Sequence, residues 1–274
     1  MKTSTKKQNP PKGGTLTEEQ TEWLNKCTTG TWKLNSQTGL VDVDEGFSCY
    51  EQGLSDFKGV RFGVVERGFR CYNNRLTSLV GAPREVKGIF RCDDNQLTSL
   101  EGAPEKVGGC FDCSNNLLTS LVGAPREVGG SFACENNLLT ILVGAPRKVG
   151  WGFFCSNNQL TSLEGAPREV GFSFDCSNNL LTSLVGAPRK VSEDFFGEDR
   201  IYFWDNPVPE RTLKSIFSLM KKGASYEEVL REKWKEYSHE LKSLLYRAEY
   251  QWIPQEEHKM LSALNKVNSV LKWI

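Results

Sequence analysis

The chain has 274 residues, 38% of them hydrophobic, with 34 basic residues balancing 34 acidic ones. A formal net charge of zero excludes a global field that would draw the molecule to nucleic acid or an anionic membrane, so binding of either kind must be local. No apolar run is long enough to span a bilayer and the N-terminus has no hydrophobic signal segment, so a cytosolic protein is expected, its nine cysteines kept reduced.

Residues 1–14, with Lys2, Lys6, Lys7 and Lys12 among glycines and prolines, are expected to be a disordered basic tail. Over 15–46, "TLTEEQTEWLNKC" places Thr17 three residues before Gln20, a capping-box start for a short helix ending near Cys27. Trp32 and Leu34, then Val41 and Val43, alternate about a Ser-Gln-Thr-Gly turn and predict a hairpin. Helix and hairpin together would cap the open end of a repeat array that begins at residue 47.

One copy of that repeat is "CSNNLLTSLVGAPREVGGSFAC", from Cys113 to Cys134. Cys71, Cys92, Cys113, Cys134, Cys155 and Cys176 recur at a constant period of 21, with one step of 22 back to Cys49. A phenylalanine stands two residues before each of them. Three residues after stand Asn74, Asn95, Asn116, Asn137, Asn158 and Asn179, with Gln52 in the first copy. Two-residue spacing puts Phe and Cys on one inward face of a short strand, the thiol acting as a small apolar filler. The asparagine, where the chain leaves the strand, can bond backbone groups of the turn and of the next coil. Leu118 and Leu121 turn inward again, and Gly123-Ala124-Pro125 suits an extended return with no room for a helix.

This unit resembles a leucine-rich repeat of the short bacterial kind, close to L-x-x-L-x-L-x-x-N-x-L, with Phe and Cys at two of the leucine positions. It is similar to repeats of secreted bacterial effectors that carry a ubiquitin-ligase domain, and still more to leucine-rich-repeat proteins of tailed bacteriophages. The resemblance implies an α+β protein: a right-handed solenoid over 47–208 with one parallel concave β-sheet. Its coils would number about eight, each of roughly 21–22 residues. The resemblance also implies a protein-binding role, inside the host cytoplasm if the chain is phage-encoded, with a host or defence protein as the target.

After Val191 the spacing lengthens, and "IYFWDNP" restores the register with Ile201 for Phe, Phe203 for Cys and Asn206 on the ladder, so the last coil carries a six-residue insertion. Residues 209–274 change to helical composition. Helices are expected near 209–222, 225–236, 238–251 and 255–273, forming an all-α domain that caps the far end and offers an interface for self-association.

Chemistry is hard to find. The ligase domain of the effectors needs a nucleophilic cysteine in a large C-terminal domain, and no cysteine follows Cys176. Cys110 and Cys113 form the single C-x-x-C, but strand alternation points them to opposite faces. His239 and His258 have no nucleophile pattern around them, and Asp112 and Asp175 stand three coils apart, roughly 14 Å, too far to share one bond. No enzyme activity, metal or cofactor is expected.

In a repeat protein the varying outward columns are free to carry recognition. Between Phe and Cys stand Arg70, Arg91, Asp112, Ala133, Phe154 and Asp175, and just after Cys stand Tyr72, Asp93, Ser114, Glu135, Ser156 and Ser177. Candidate binding residues are therefore Arg70, Tyr72, Arg91, Asp93, Asp112 and Glu135, with Trp151, Phe154 and Phe172, the two residues Trp151 and Phe172 standing where other copies have glycine. The competing account gives Arg70 and Arg91 salt links to Asp93 or Asp112, and covers the aromatic patch with Phe195 and Phe196 of the insertion or with the C-terminal helices. The column Glu85, Lys106, Glu127, Lys148, Glu169 and Lys190 reads as a solvated charged edge on the convex side. A protein partner is expected. Nucleic acid held by the basic tail with Arg70, Tyr72 and Arg91 is the first alternative, and a self-assembling structural protein the second.

Overall fold

The computed structural model describes residues 15–181, 186–188, 190–191, 201–202 and 206. The basic tail, the insertion with Phe195 and Phe196, Phe203 and the expected helices beyond residue 208 lie outside the described residues.

The repeat folds into a parallel β-solenoid whose backbone ladders form two nine-stranded sheets among the described residues. The first sheet is built from the Phe-x pairs, Phe69–Arg70, Phe90–Arg91, Phe111–Asp112, Phe132–Ala133, Phe153–Phe154 and Phe174–Asp175, each paired in register with the next. The second is built from the pairs that end in valine, Glu85–Val86 through Lys190–Val191. A single concave sheet was expected. The second ladder arises because the valine segment is itself extended and pairs with its copy one turn on, which satisfies its backbone groups as the first sheet does.

Six turns, from Phe69 to Val191, repeat with both strands and a constant period. The structure therefore has about six regular turns and not the eight coils expected, because the two ends depart from the repeat. The turn that starts at Phe47 is one residue longer than the others and pairs with the N-terminal segments, whereas Ile201–Tyr202 adds one strand to the first sheet alone. That strand pairs Ile201 with Phe174, and the Asn206 amide donates to the Cys176 carbonyl, so the register resumes after the insertion.

Phe69, Phe90, Phe111, Phe132, Phe153 and Phe174 are fully buried, each ring stacked on the next at 5.2–5.6 Å between centroids. Cys, Leu and Val columns complete a continuous core. At the N-terminal end α1 (Glu18–Cys27) begins with the capping box: the Thr17 hydroxyl accepts from the Gln20 amide N–H and the Gln20 side chain accepts from the Thr17 N–H. Its Trp23 ring meets Phe47 edge-on at 5.1 Å. The hairpin pairs Trp32 with Val43 and Leu34 with Val41 and joins the second sheet.

Two polar residues follow each Cys-x, for different reasons. The first, at Asn73, Asp94, Asn115, Asn136, Asn157 and Asn178, holds φ between 49° and 55°, a left-handed conformation that Asn and Asp tolerate best after glycine. The second is the ladder asparagine. Asn116 accepts from the Leu97 N–H at 2.9 Å and donates to the carbonyls of Cys92, Cys113 and Ser114. Its bonds therefore reach its own turn and the preceding coil, not the next one as expected. The direction follows from the left-handed residue ahead of it, which swings the amide back toward the coil already laid down.

The Gly-Ala-Pro return also differs from an extended segment. Ala124 N–H donates to Leu121 C=O at 3.0 Å with φ +100° at Gly123, a type II turn, which requires a positive φ at its third residue.

Candidate functional site

The two sheets turn different kinds of surface outward. On the second, Glu85, Lys106, Glu127, Lys148, Glu169 and Lys190 alternate in sign along the ladder, and Lys148 Nζ lies 4.0 Å from a Glu169 carboxylate oxygen. Lys106, Glu127, Lys148 and Glu169 are exposed, a solvated charged column in which opposite signs stand side by side on adjacent strands. On the first sheet, Ser48, Arg70, Arg91, Asp112, Ala133, Phe154 and Asp175 stand side by side with no such alternation.

At the N-terminal end of that face the Tyr50 and Tyr72 rings stack at 4.9 Å with 1° between their planes. The Arg91 guanidinium covers the other face of the pair, 4.3 Å from the Tyr72 centroid. Asp93 grips it through two bonds, Nε to Oδ1 at 3.0 Å and Nη2 to Oδ2 at 2.6 Å, and this hydrogen bonding holds the guanidinium pKa above its usual value. Asp93 is 4% exposed. It stands in an outward column of candidate binding residues, yet it is a buried counter-ion; Ser114, Ser156 and Ser177 of the same column are buried too, whereas Tyr72 and Glu135 are half-buried and Tyr50 is exposed. Arg91 thus follows the salt-link account, with a further approach to Asp112 at 3.8 Å. Arg70 does not: its guanidinium lies back over Gly68, where an added Cβ would sit 3.0 Å from Nη1, and it has no ion pair among the described residues. Tyr50 was missed. Its position in the same column as Tyr72, one copy earlier, was the available signal.

Further along, carboxylates are fastened by serines. Asp112 Oδ1 accepts from the Ser114 N–H and hydroxyl, Asp175 Oδ1 does the same with Ser177, and Glu135 accepts from the Ser156 hydroxyl at 3.0 Å. Burial pushes the Asp112 carboxyl above the usual range, reinforced by the negative charge of Asp93. Burial does the same to Glu135, with Asp175 and Asp112 adding to it and the Ser156 bond opposing it. Asp112 and Asp175 are three rungs apart through Ala133 and Phe154, so they form no acid–base pair.

The tip of the Phe154 ring lies against Gly152, where a Cβ would meet it, and the residue is half-buried. Trp151, 66% exposed, and Phe172, 46% exposed, flank it at the corner before the strand, where the Phe172 N–H donates to the Trp151 carbonyl at 3.0 Å. The structure therefore gathers the candidates into two groups, Tyr50, Arg70, Tyr72 and Arg91 at one end of the first sheet and, at the other, Phe154 with Trp151 and Phe172 at the adjoining corner, with Asp112 and Glu135 between them. The sequence reading also passes over Leu117, Val122, Leu138 and Val143, which are exposed on neighbouring turns in columns where other copies place Arg75, Gln96, Gln159, Glu101 or Glu164.

The cysteine ladder is structural. All nine cysteines are free thiols, and burial pushes Cys71, Cys92, Cys113, Cys134, Cys155 and Cys176 well above the usual thiol range. The Cys71, Cys92, Cys113 and Cys134 thiols donate to carbonyls of the next strand at 3.2–3.4 Å. Cys110 is partly exposed while Cys113 is buried, so the C-x-x-C pair diverges. Among the described residues no group of three or more His, Cys, Asp and Glu is placed to hold a metal ion, and no helix is long and apolar enough to cross a membrane. In comparison with known proteins, the chain matches no family model and no curated sequence.

Proposed function

We propose that this protein is a non-catalytic binding module that recognises another protein through the outer face of its first sheet. One observation carries the reading: the inward columns are nearly constant and the second sheet alternates acidic and basic residues, whereas the first sheet presents a non-repeating series of cation, carboxylates and aromatics. Aromatic and arginine side chains on a rigid support are the usual composition of binding hot spots. The resemblance to leucine-rich repeats supports the same role. It extends the proposal to a right-handed solenoid with helices closing its far end, and to a phage protein that binds a host or defence protein in the bacterial cytoplasm.

The nucleic-acid alternative rests on the basic tail with Arg70, Tyr72 and Arg91, and Arg91 is the member the structure weakens. The Asp93 grip counts against it, since a neutralised guanidinium attracts phosphate weakly.

The test is affinity purification of the tagged chain from bacterial lysate, with and without nuclease, beside a variant with Arg70, Trp151 and Phe154 changed to Ala. Arg91 is left intact because Asp93 depends on it. A nuclease-resistant protein partner lost from the variant, but retained when Lys148 and Glu127 on the second sheet become Ala, is the expected result. Undiminished capture by the triple variant refutes the site, and a partner that vanishes with nuclease refutes the class.

A further inference from the structure

The stack at the N-terminal end of the first sheet ends in a partly exposed ring. Asp93 holds Arg91, Arg91 covers Tyr72, and Tyr72 covers Tyr50. Tyr50 is 43% exposed, and among the described residues Tyr72 is its single ring partner and no cation lies over it. The ring therefore ends the stack with part of its surface open to a group from outside. The nearest uncompensated charge on this sheet face is Arg70. Its strand neighbour Ser48 is small, and its guanidinium rests on the bare backbone at Gly68.

We infer that this end of the face binds an extended segment of the protein partner that carries an aromatic side chain for Tyr50 and a carboxylate for Arg70. The inference rests on the protein-binding reading above and names the chemistry it would recognise. Ring-on-ring contact continues a stack already two rings deep, with centroids 4.9 Å apart. A carboxylate is the planar, two-oxygen partner that a free guanidinium fits best.

Gly68 stands four residues before Tyr72, roughly 13 Å along the strand, and Tyr50 lies one strand spacing further, so ring and guanidinium are separated by about 14 Å. In an extended segment, side chains on one face recur every ~6.6 Å, so an aromatic residue and an acidic residue four positions apart span the site.

The probe is a twelve-residue Gly/Ser peptide with one Trp and one Asp four positions apart, titrated into the intact chain carrying 13C-labelled tyrosine rings. Control peptides place the pair adjacent, or replace Asp by Lys. The expected result is a saturable shift of the Tyr50 and Tyr72 ring signals, with affinity falling about tenfold for Arg70→Glu and for the adjacent-pair peptide. Arg70→Glu removes no internal ion pair, so an unchanged melting temperature certifies its fold. The inference is overturned if no saturable shift occurs below about 1 mM, if Arg70→Glu binds equally, or if the Lys peptide or an oligothymidylate binds better. Should the peptides fail while the triple variant still loses a captured protein, the binding-module reading stands and the assignment to Tyr50 and Arg70 falls.

Discussion

Asn116→Ala tests whether the asparagine ladder holds the turns together. Asn116 is 5% exposed and bridges two turns with four hydrogen bonds. Their loss is unequal. The Cys92 and Cys113 carbonyls also accept from Asn95 and Asn137, and the Ser114 carbonyl accepts from the Asp94 N–H. The Leu97 N–H has no other acceptor among the described residues and would be buried without a partner, at about 1–3 kcal/mol. Loss of the three donated bonds adds roughly 0.5–1.5 kcal/mol, since each carbonyl keeps one partner, so the variant should lose about 2–4 kcal/mol. Asn116→Asp is nearly the same shape and separates packing from hydrogen bonding. It keeps the acceptor for Leu97 but sets a carboxylate against three carbonyls, which raises the folded pKa of the introduced group above its unfolded value of ~3.9. Its cost relative to wild type should therefore be smallest below about pH 4, where the carboxyl is protonated in both states, and grow as pH rises, exceeding that of Asn116→Ala at pH 7. Urea denaturation followed by far-ultraviolet circular dichroism, with midpoint and slope fitted separately, measures both. A loss below about 0.5 kcal/mol for Asn116→Ala, or an Asn116→Asp cost no greater at pH 7 than at pH 4, would refute the ladder's role.

Asn115 answers to backbone rather than bonding: its φ of 53° predicts that Asn115→Gly is close to neutral while Asn115→Val costs about 1–2 kcal/mol in the same titration. Gly123→Ala should fail to reach native melting behaviour, because φ is +100° and the new Cβ would stand 2.5 Å from the Leu100 carbonyl oxygen; a melting temperature within a few degrees of wild type would contradict the turn geometry. Asp112→Asn and Glu135→Gln should stabilise at pH 7. Burial raises both folded pKa values, so the native state disfavours the ionised forms, and the gain should shrink to nothing as pH falls below the unfolded carboxylate values; a gain that is independent of pH would oppose this. With Ellman's reagent the native chain should show one fast thiol, abolished by Cys110→Ser, and the remaining eight only on unfolding; fast reaction of a ladder cysteine would mean an open core.

The solenoid was legible from the residues alone. Phe and Cys two apart, repeated at a fixed period, leave one arrangement that buries both columns without a helix, and the observed register of Phe111 beside Phe132 is that period made physical. The Thr17 capping box, the hairpin about residues 35–40 and the resumption at Ile201 could be read for the same reason, being local patterns with one backbone solution. The second sheet could not, because a two-residue strand has too few positions to show alternation, and its pairing exists only once turns stack. The direction of the asparagine bonds depended on the left-handed residue before them, a dihedral that no spacing reveals. Side-chain accessibility on the first sheet was likewise decided by neighbours one full turn away. Asp93 and Arg91 both stand in outward columns of the repeat, yet contact with adjacent turns buries the carboxylate and lays the guanidinium on Tyr72. Arg70, one turn earlier, has no such partner among the described residues.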